Sequence, residues 1–289
     1  MLRSCLRSVE EKTAGVEYET IVVDNGSSDG SAEMVKSEFP RVKLVEPGEN
    51  LGFGRANNKG SGIASGTFLF FLNSDTELRN DAITILRDFM VSRPGCGIAG
   101  GNLVDPEGKP SHSYRKTLPS PATELQRFIP SFARLSGGKS WCYNFTGKPM
   151  PVAYVTGADL MIRKDLFERV GMFDPDFFMY YEETEMTARV EKAGFGVWSV
   201  PEAVIMHVKG ASLEFVTGVK AMVYESKYKY MQKVYGAKAV ARTHRHFRFY
   251  CACKRAALAL TGKKKRAENY AKMLEIDDGA YAKTMGGNA

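Results

Sequence analysis

The sequence predicts an α/β protein: a mostly parallel sheet flanked by helices, followed by a basic helical C-terminal extension. Three observations lead there. Short β-branched and apolar runs alternate with amphipathic stretches from residue 19 to residue 104, the order that a parallel-cored sheet requires. The run at 67–73, TFLFFLN, is continuously apolar, as expected of a strand buried on both faces. From residue 213 to about residue 276 the pattern turns helical and strongly basic.

In chain order, residues 19–24 (ETIVVD) read as a strand that ends at the polar turn NGSSDG. A helix over 31–39 and a strand over 42–45 follow, and 52–64 reads as a small-residue helix packed closely on the sheet. After the strand at 67–73, residues 81–91 carry Ile83, Leu86 and Met90 at helical spacing, and 97–104 is a strand turning at DPEG. Residues 105–150, rich in Pro, Gly and Ser, break the rhythm and read as a variable insert of loops and short helices. Strands return at 152–156 and 159–163, with helices over 165–170 and 183–193, the second stopped by Gly194. Two short strands are expected at 197–200 and 204–208. The expected division is a domain at 1–212, containing the insert, and the extension at 213–289.

The chain has 289 residues, 44% hydrophobic and 25% charged, which is ordinary globular material rather than a disordered chain. Five cysteines without framework spacing argue against a disulfide scaffold. No apolar run reaches the roughly 18–20 residues of a membrane span, and the opening residues hold no apolar block, so a reduced, cytoplasmic setting is expected. Charge is uneven: residues 220–273 hold 15 Lys and Arg against two Asp and Glu. Such a segment suits an anionic membrane surface. It also suits nucleic acid, but no reading motif accompanies it, so no nucleic-acid partner is expected. The plainer alternative is a solvated helical face.

Acids fall at strand ends, where open α/β sheets bind ligands. Asp24 ends the first strand, with Asn25 and Ser27 behind it, and Asp75 comes two residues after the strand ending at Asn73. Asp24-Asn25-Gly26 also reads as turn chemistry, and Ser74–Glu77 as a helix capping box. Two such carboxylates suit a divalent cation held with a phosphate-bearing ligand. The glycine loops GxGxxG and GxxxxGK[ST] are absent, which disfavours dinucleotide and P-loop readings. A third cluster, Glu182-Glu183-Thr184-Glu185, opens a helix behind an aromatic run, where desolvation makes a carboxylate a usable base. Glu185 reads as a surface partner of Arg189. His207 ends a strand, and a structural role competes with a functional one there. His244, His246, Cys251 and Cys253 are spaced to face apart on a helix, which disfavours zinc.

The ordered motifs VVDNGSSDGS (22–31), NLGFGRANNKG (50–60), FLNSD (71–75), GADLMIRKDLFERVGMFDPDFFMYYEETE (157–185) and VPEAVIMHVKGAS (200–212) resemble the family 2 glycosyltransferases, nearest their rhamnosyltransferase-like branch. The resemblance covers residues 1–235. It implies a GT-A fold and inverting, metal-dependent transfer of a sugar, rhamnose among the candidates, in cell-surface polysaccharide synthesis. The donor is a nucleotide sugar (dTDP- or UDP-linked), the cofactor Mg²⁺ or Mn²⁺, and the acceptor a glycan or polyprenyl-diphosphate-linked sugar at the inner face of the membrane. By motif, Asp24, Asn25, Ser27, Asn73, Gly157, Ala158 and Asp159 fall on nucleotide-sugar and acceptor positions, and Asp75 and His207 on metal positions. Glu183 falls on the catalytic base, with Glu182 as the alternative. Family members open with an apolar strand ahead of the helix matched by residues 2–8. That strand is missing here, so a non-catalytic, membrane-associated partner stands as the alternative function.

Overall fold

The computed structural model describes residues 1–126, 142–208 and 216–286. The described residues fall into two compact units: 1–117, 142–178 and 182–208 in one, and 118–126, 179–181 and 216–286 in the other.

The first unit opens with helix α1 (Leu2–Lys12), which buries Cys5, Leu6 and Val9 at helical spacing. Strand β1 (Ile21–Val23), helix α2 (Ser31–Glu38) and strand β2 (Lys43–Val45) follow, and β1 pairs with β2 in parallel as a separate two-stranded sheet. Helix α3 (Phe53–Ile63) leads to β3 (Phe68–Leu72), β4 (Thr76–Leu78), α4 (Ala82–Ser92) and β5 (Cys96–Val104). The insert contributes β6 (Tyr114–Arg115) here and α5 (Pro121–Gln126) to the second unit. Then come β7 (Met150–Val152), β8 (Tyr154–Val155), β9 (Asp159–Arg163), α6 (Lys164–Arg169), α7 (Glu182–Lys192) and β10 (Gly196–His207).

The larger sheet runs β3-β9-β5-β10-β4, with β7 also on β10. It is mixed rather than mostly parallel: β5 and β10 pair in parallel, while β3–β9, β5–β9, β4–β10 and β7–β10 are antiparallel. Strand alternation divides the core. Leu69, Phe71, Ile98, Leu160 and Ile162 face Phe167, Phe173, Met186 and Val190, whereas Ala99, Leu103 and Met161 face Leu86, Met90 and Val9. In β3 only Leu69 and Phe71 are fully buried; Phe68, Phe70 and Leu72 are half-buried, so the strand is less enclosed than its apolar run implies.

Two local expectations are corrected. Residues 74–77 do not cap a helix, because Thr76 to Leu78 form β4 and helix α4 is capped by Asp81, which accepts the Thr84 N–H at 3.3 Å. The strands expected at 197–200 and 204–208 are one strand, β10, whose register shifts between Ser199 and Val204 around Pro201, a residue without an N–H for the ladder.

The second unit holds α8 (Val216–Tyr235), α9 (Ala237–Leu260) and α10 (Lys264–Gly286) with α5. Tyr228, Met231, Val240 and Cys251 are fully buried. So is Asp277, which accepts the Tyr228 hydroxyl at 2.6 Å and lies 2.7 Å from His244 Nδ1 and 3.4 Å from Lys227 Nζ. Tyr281 stacks on His244 with ring centres 4.0 Å apart. Cys251 is buried and Cys253 exposed, in keeping with residues two apart on a helix. No helix among the described residues is long and apolar enough to cross a membrane.

Candidate functional site

Three segments of the first unit lock together around the start of α3. Asp24 follows β1 and closes its turn by accepting the Ser27 N–H at 3.3 Å, while Ser27 itself is exposed. Asn25 reaches across to the next turn. Its amide donates to Asn50 Oδ1 at 2.9 Å and to the Gly52 carbonyl at 3.3 Å, and its oxygen accepts the Leu51 N–H at 2.7 Å. The Asn25 side chain thus fastens the two turns together. Gly52 is required twice over: its φ is +77°, and a Cβ there would lie 2.2 Å from the Phe178 carbonyl oxygen. That carbonyl accepts the Phe53 N–H at 2.9 Å. Further along α3, Asn58 exchanges hydrogen bonds with both backbone groups of Phe173, and Arg55 donates to the Pro175 carbonyl at 2.8 Å. The polar positions of NLGFGRANNKG therefore hold the MFDPDFF segment that leads to the acids of α7.

The acids begin α7, directly after Tyr180 and Tyr181, whose φ values of 71° and 69° are strained for such residues. Glu182 is only 4% exposed, and its Oε2 is buried without a hydrogen-bond partner. Burial, and then the neighbouring Glu183, hold its pKa well above the ordinary carboxyl value. Glu183 is half-buried and accepts the Thr184 hydroxyl at 3.1 Å; burial raises its pKa as well. Two glycines let neighbouring segments approach this helical turn. A Cβ on Gly54 would lie 3.7 Å from Glu182 Cβ, and one on Gly157 would lie 3.3 Å from Phe53 Cζ and 3.8 Å from Glu183 Cβ. Glu185, read from spacing as a surface partner, is buried instead. It grips Arg189 through both oxygens, and Arg189 also donates to the carbonyls of Val170 and Met172. The pair is an internal brace for the loop ahead of the acids.

The end of β3 is tied to the same region. The Asn73 N–H donates to the Ala158 carbonyl at 3.0 Å, which ties the end of β3 to the loop of Gly157. Asp159 is fully buried and accepts the Gly101 N–H at 2.7 Å, so it braces β5 behind that loop. Burial raises its pKa well above the ordinary value. Asp75 stands beside β10: its carbonyl accepts the Val208 N–H at 2.9 Å, and its Oδ1 lies 3.3 Å from His207 Nε2. His207 Nδ1 is buried without a hydrogen-bond partner. Cys5 of α1 lies alongside, its Sγ 3.7 Å from Thr76 Oγ1. A shallow hollow of about 260 Å³ lined by Gly66, Thr67 and Lys164 lies at the opposite end of β3 from Asn73 and touches none of these acids.

Sequence reasoning assigned no role to Gly52, Phe53, Asn58 or Thr184. The positive φ at Gly52 is the one of these that a glycine after Asn-Leu could have signalled.

The fold has counterparts among solved structures. GalNAc-T7, determined with UDP, GalNAc and Mn²⁺, superposes with a TM-score of 0.58 at 15% identity, over 92% of this chain and 51% of that one. A mannosyltransferase from Pyrobaculum calidifontis, in complex with GDP-Man and Mn²⁺, gives a TM-score of 0.57 at 15% identity, over 98% of this chain and 83% of that one. These likenesses bear out the GT-A fold. By sequence, the chain is 29% identical over 213 residues to an N-acetylglucosaminyl-diphospho-decaprenol L-rhamnosyltransferase of Mycobacterium tuberculosis, covering 66% of this chain and 67% of the relative. Residues 1–170, more than half of the chain, match the profile of glycosyl transferase family 2, and the protein belongs to that family.

Proposed function

We propose that the protein is an inverting glycosyltransferase that moves a sugar from a nucleotide-diphosphate donor to a hydroxyl of a lipid-linked or glycan acceptor in cell-surface polysaccharide synthesis. Rhamnose carried by dTDP or UDP is the first donor to try, and a polyprenyl-diphosphate-linked sugar the first acceptor. In this reading the enzyme works at the inner, anionic face of the membrane. The observation that carries it is the Glu182-Glu183 pair, in which a buried carboxyl with one oxygen unpartnered sits beside a more open one at the loop of Gly157.

Glu183 takes the proton from the acceptor hydroxyl as that oxygen attacks the anomeric carbon from the side opposite the nucleotide. Its raised pKa strengthens it as a base while leaving it ionised above that value. Burial favours the uncharged form of Glu182 beside it. Asp24 faces the nucleoside, with Asn25 holding its turn, and the Gly157–Ala158 loop leaves room for the sugar. Asp75 and His207 suit a divalent cation: a carboxylate and an imidazole lie side by side, and the buried His207 Nδ1 has no protein partner. Bound there, Mg²⁺ or Mn²⁺ would stabilise the charge developing on the leaving diphosphate.

A donor panel tests this. The purified chain, given dTDP-, UDP- and GDP-sugars with Mg²⁺ or Mn²⁺, should hydrolyse or transfer one of them. If no donor is bound or turned over under any of these conditions, the non-catalytic alternative takes its place.

A further inference from the structure

We propose that the last three turns of α9 and the turn into α10 form a lipid-docking wedge, an apolar face that enters the interfacial zone of an anionic bilayer and is held there by cations at its tip. The proposal deepens the membrane part of the reading above by naming the element that makes the contact.

Helix α9 buries Val240, Thr243, Phe247 and Cys251 at spacings of three and four, which fixes the opposite side as its outer face. That outer face changes character along the helix. In the first turns it carries the exposed cations Lys238, Arg242 and Arg245. From Phe249 onward it carries Phe249, Cys253, Ala256 and Leu260, again at spacings of four, three and four, all exposed and none of them charged. Phe249 is 69% exposed and Leu260 90%. The exposed run Lys263-Lys264-Lys265-Arg266 follows at once. Beside the stripe lies a shallow hollow of about 400 Å³ lined by Ala252, Ala256, Ala259, Ala267 and Arg255, where four short side chains leave room for an acyl chain.

An ordinary solvated helix face would continue the charged pattern of its first turns. Here a large aromatic and a large aliphatic residue point into water next to four cations, the pairing that an interfacial helix on anionic lipid needs. A nucleic acid would satisfy the cations but leave Leu260 in water. The helix lies on the membrane instead of crossing it, since no described helix is long and apolar enough to span one.

Tryptophan reporters test the wedge in the full-length chain. Phe249→Trp and Leu260→Trp are each mixed with phosphatidylcholine vesicles, with or without phosphatidylglycerol. The introduced indole should shift to the blue and be quenched by brominated lipid only when phosphatidylglycerol is present. Leu260→Ser should weaken binding to these vesicles by about tenfold. Replacing Lys263–Arg266 by Ala should weaken it by about a hundredfold or more. All these variants should keep the wild-type rate of donor hydrolysis, so a failed wedge and a failed transferase reading give different results. The proposal is overturned by the absence of a blue shift at both positions, by vesicle binding that Leu260→Ser leaves unchanged, or by tighter binding to duplex DNA than to the anionic vesicles.

Discussion

Each unit of this protein buries a carboxylate, and the two are treated in opposite ways. Asp277 in the helical unit has both oxygens engaged, one by Tyr228 and Lys227 and the other by His244. Glu182 in the sheet unit is almost as buried, yet one of its oxygens has no partner and the next residue is another acid. Asp277 is a closed polar knot that holds three helices in register. Glu182 and Glu183 are an open pair, costly to fold, and such cost is retained where chemistry uses it. In the proposed reading, unmet hydrogen-bonding capacity marks the acid pair used in chemistry, which burial alone does not. The same contrast covers His244, engaged on both ring nitrogens, and His207, whose Nδ1 has no partner.

If the contrast is right, changes at Asp75 and Glu183 in the open clusters should remove turnover and spare the fold, and changes in the closed one should do the reverse. The largest effect is expected at Asp75. Asp75→Ala should lower metal-dependent donor turnover by about a thousandfold or more, with an unchanged circular dichroism spectrum and melting temperature. Asp277→Ala should cost about 3 kcal/mol in urea unfolding, because it removes the buried acceptor shared by Tyr228, His244 and Lys227, and should change the rate per folded molecule little.

Gly52→Ala should destabilise by about 2 kcal/mol through its positive φ and the closeness of the Phe178 carbonyl, and should also slow turnover by displacing the segment ahead of the acids. The smallest effect concerns Glu182. Its folded pKa is raised, so the native state holds a proton that the unfolded chain releases near the ordinary carboxyl value of 4.5. Stability should therefore fall as pH rises from that value through the raised one. Glu182→Gln should make that fall shallower, the remainder coming from Glu183 and Asp159, whose pKa values burial also raises, as measured by urea midpoints across the range.

Much of the fold could be read from local pattern because its elements carry their own periodicity: β1, α2, α4, β5, β9 and α7 lie within a residue or two of the expected ranges. What local pattern could not supply was pairing. Residues 76–78 look like a helix entrance until β10 lies beside them, and the two short strands around Pro201 are one strand only because β5 runs along both. The candidate site could be proposed from sequence where a motif carries its own chemistry, as with Glu182, Glu183, Asp75 and His207. It was not legible where function depends on distant partners. Spacing made Glu185 and Arg189 a surface pair, because helical spacing says nothing of the 170–172 loop that Arg189 holds. The Asp277 knot joins residues 227, 228, 244 and 277 from three helices, and no local pattern links them.

In the proposed reaction Glu183 is the base and Glu182 its buried neighbour. Side-by-side initial rates of Glu183→Gln and Glu182→Gln, with the donor identified by the panel and saturating acceptor, address this most directly. Glu183→Gln should lose at least about a thousandfold in rate, and Glu182→Gln should stay within about tenfold of wild type. An active Glu183→Gln beside an inactive Glu182→Gln would contradict the assignment, and full activity in both would remove the acid pair from the chemistry altogether.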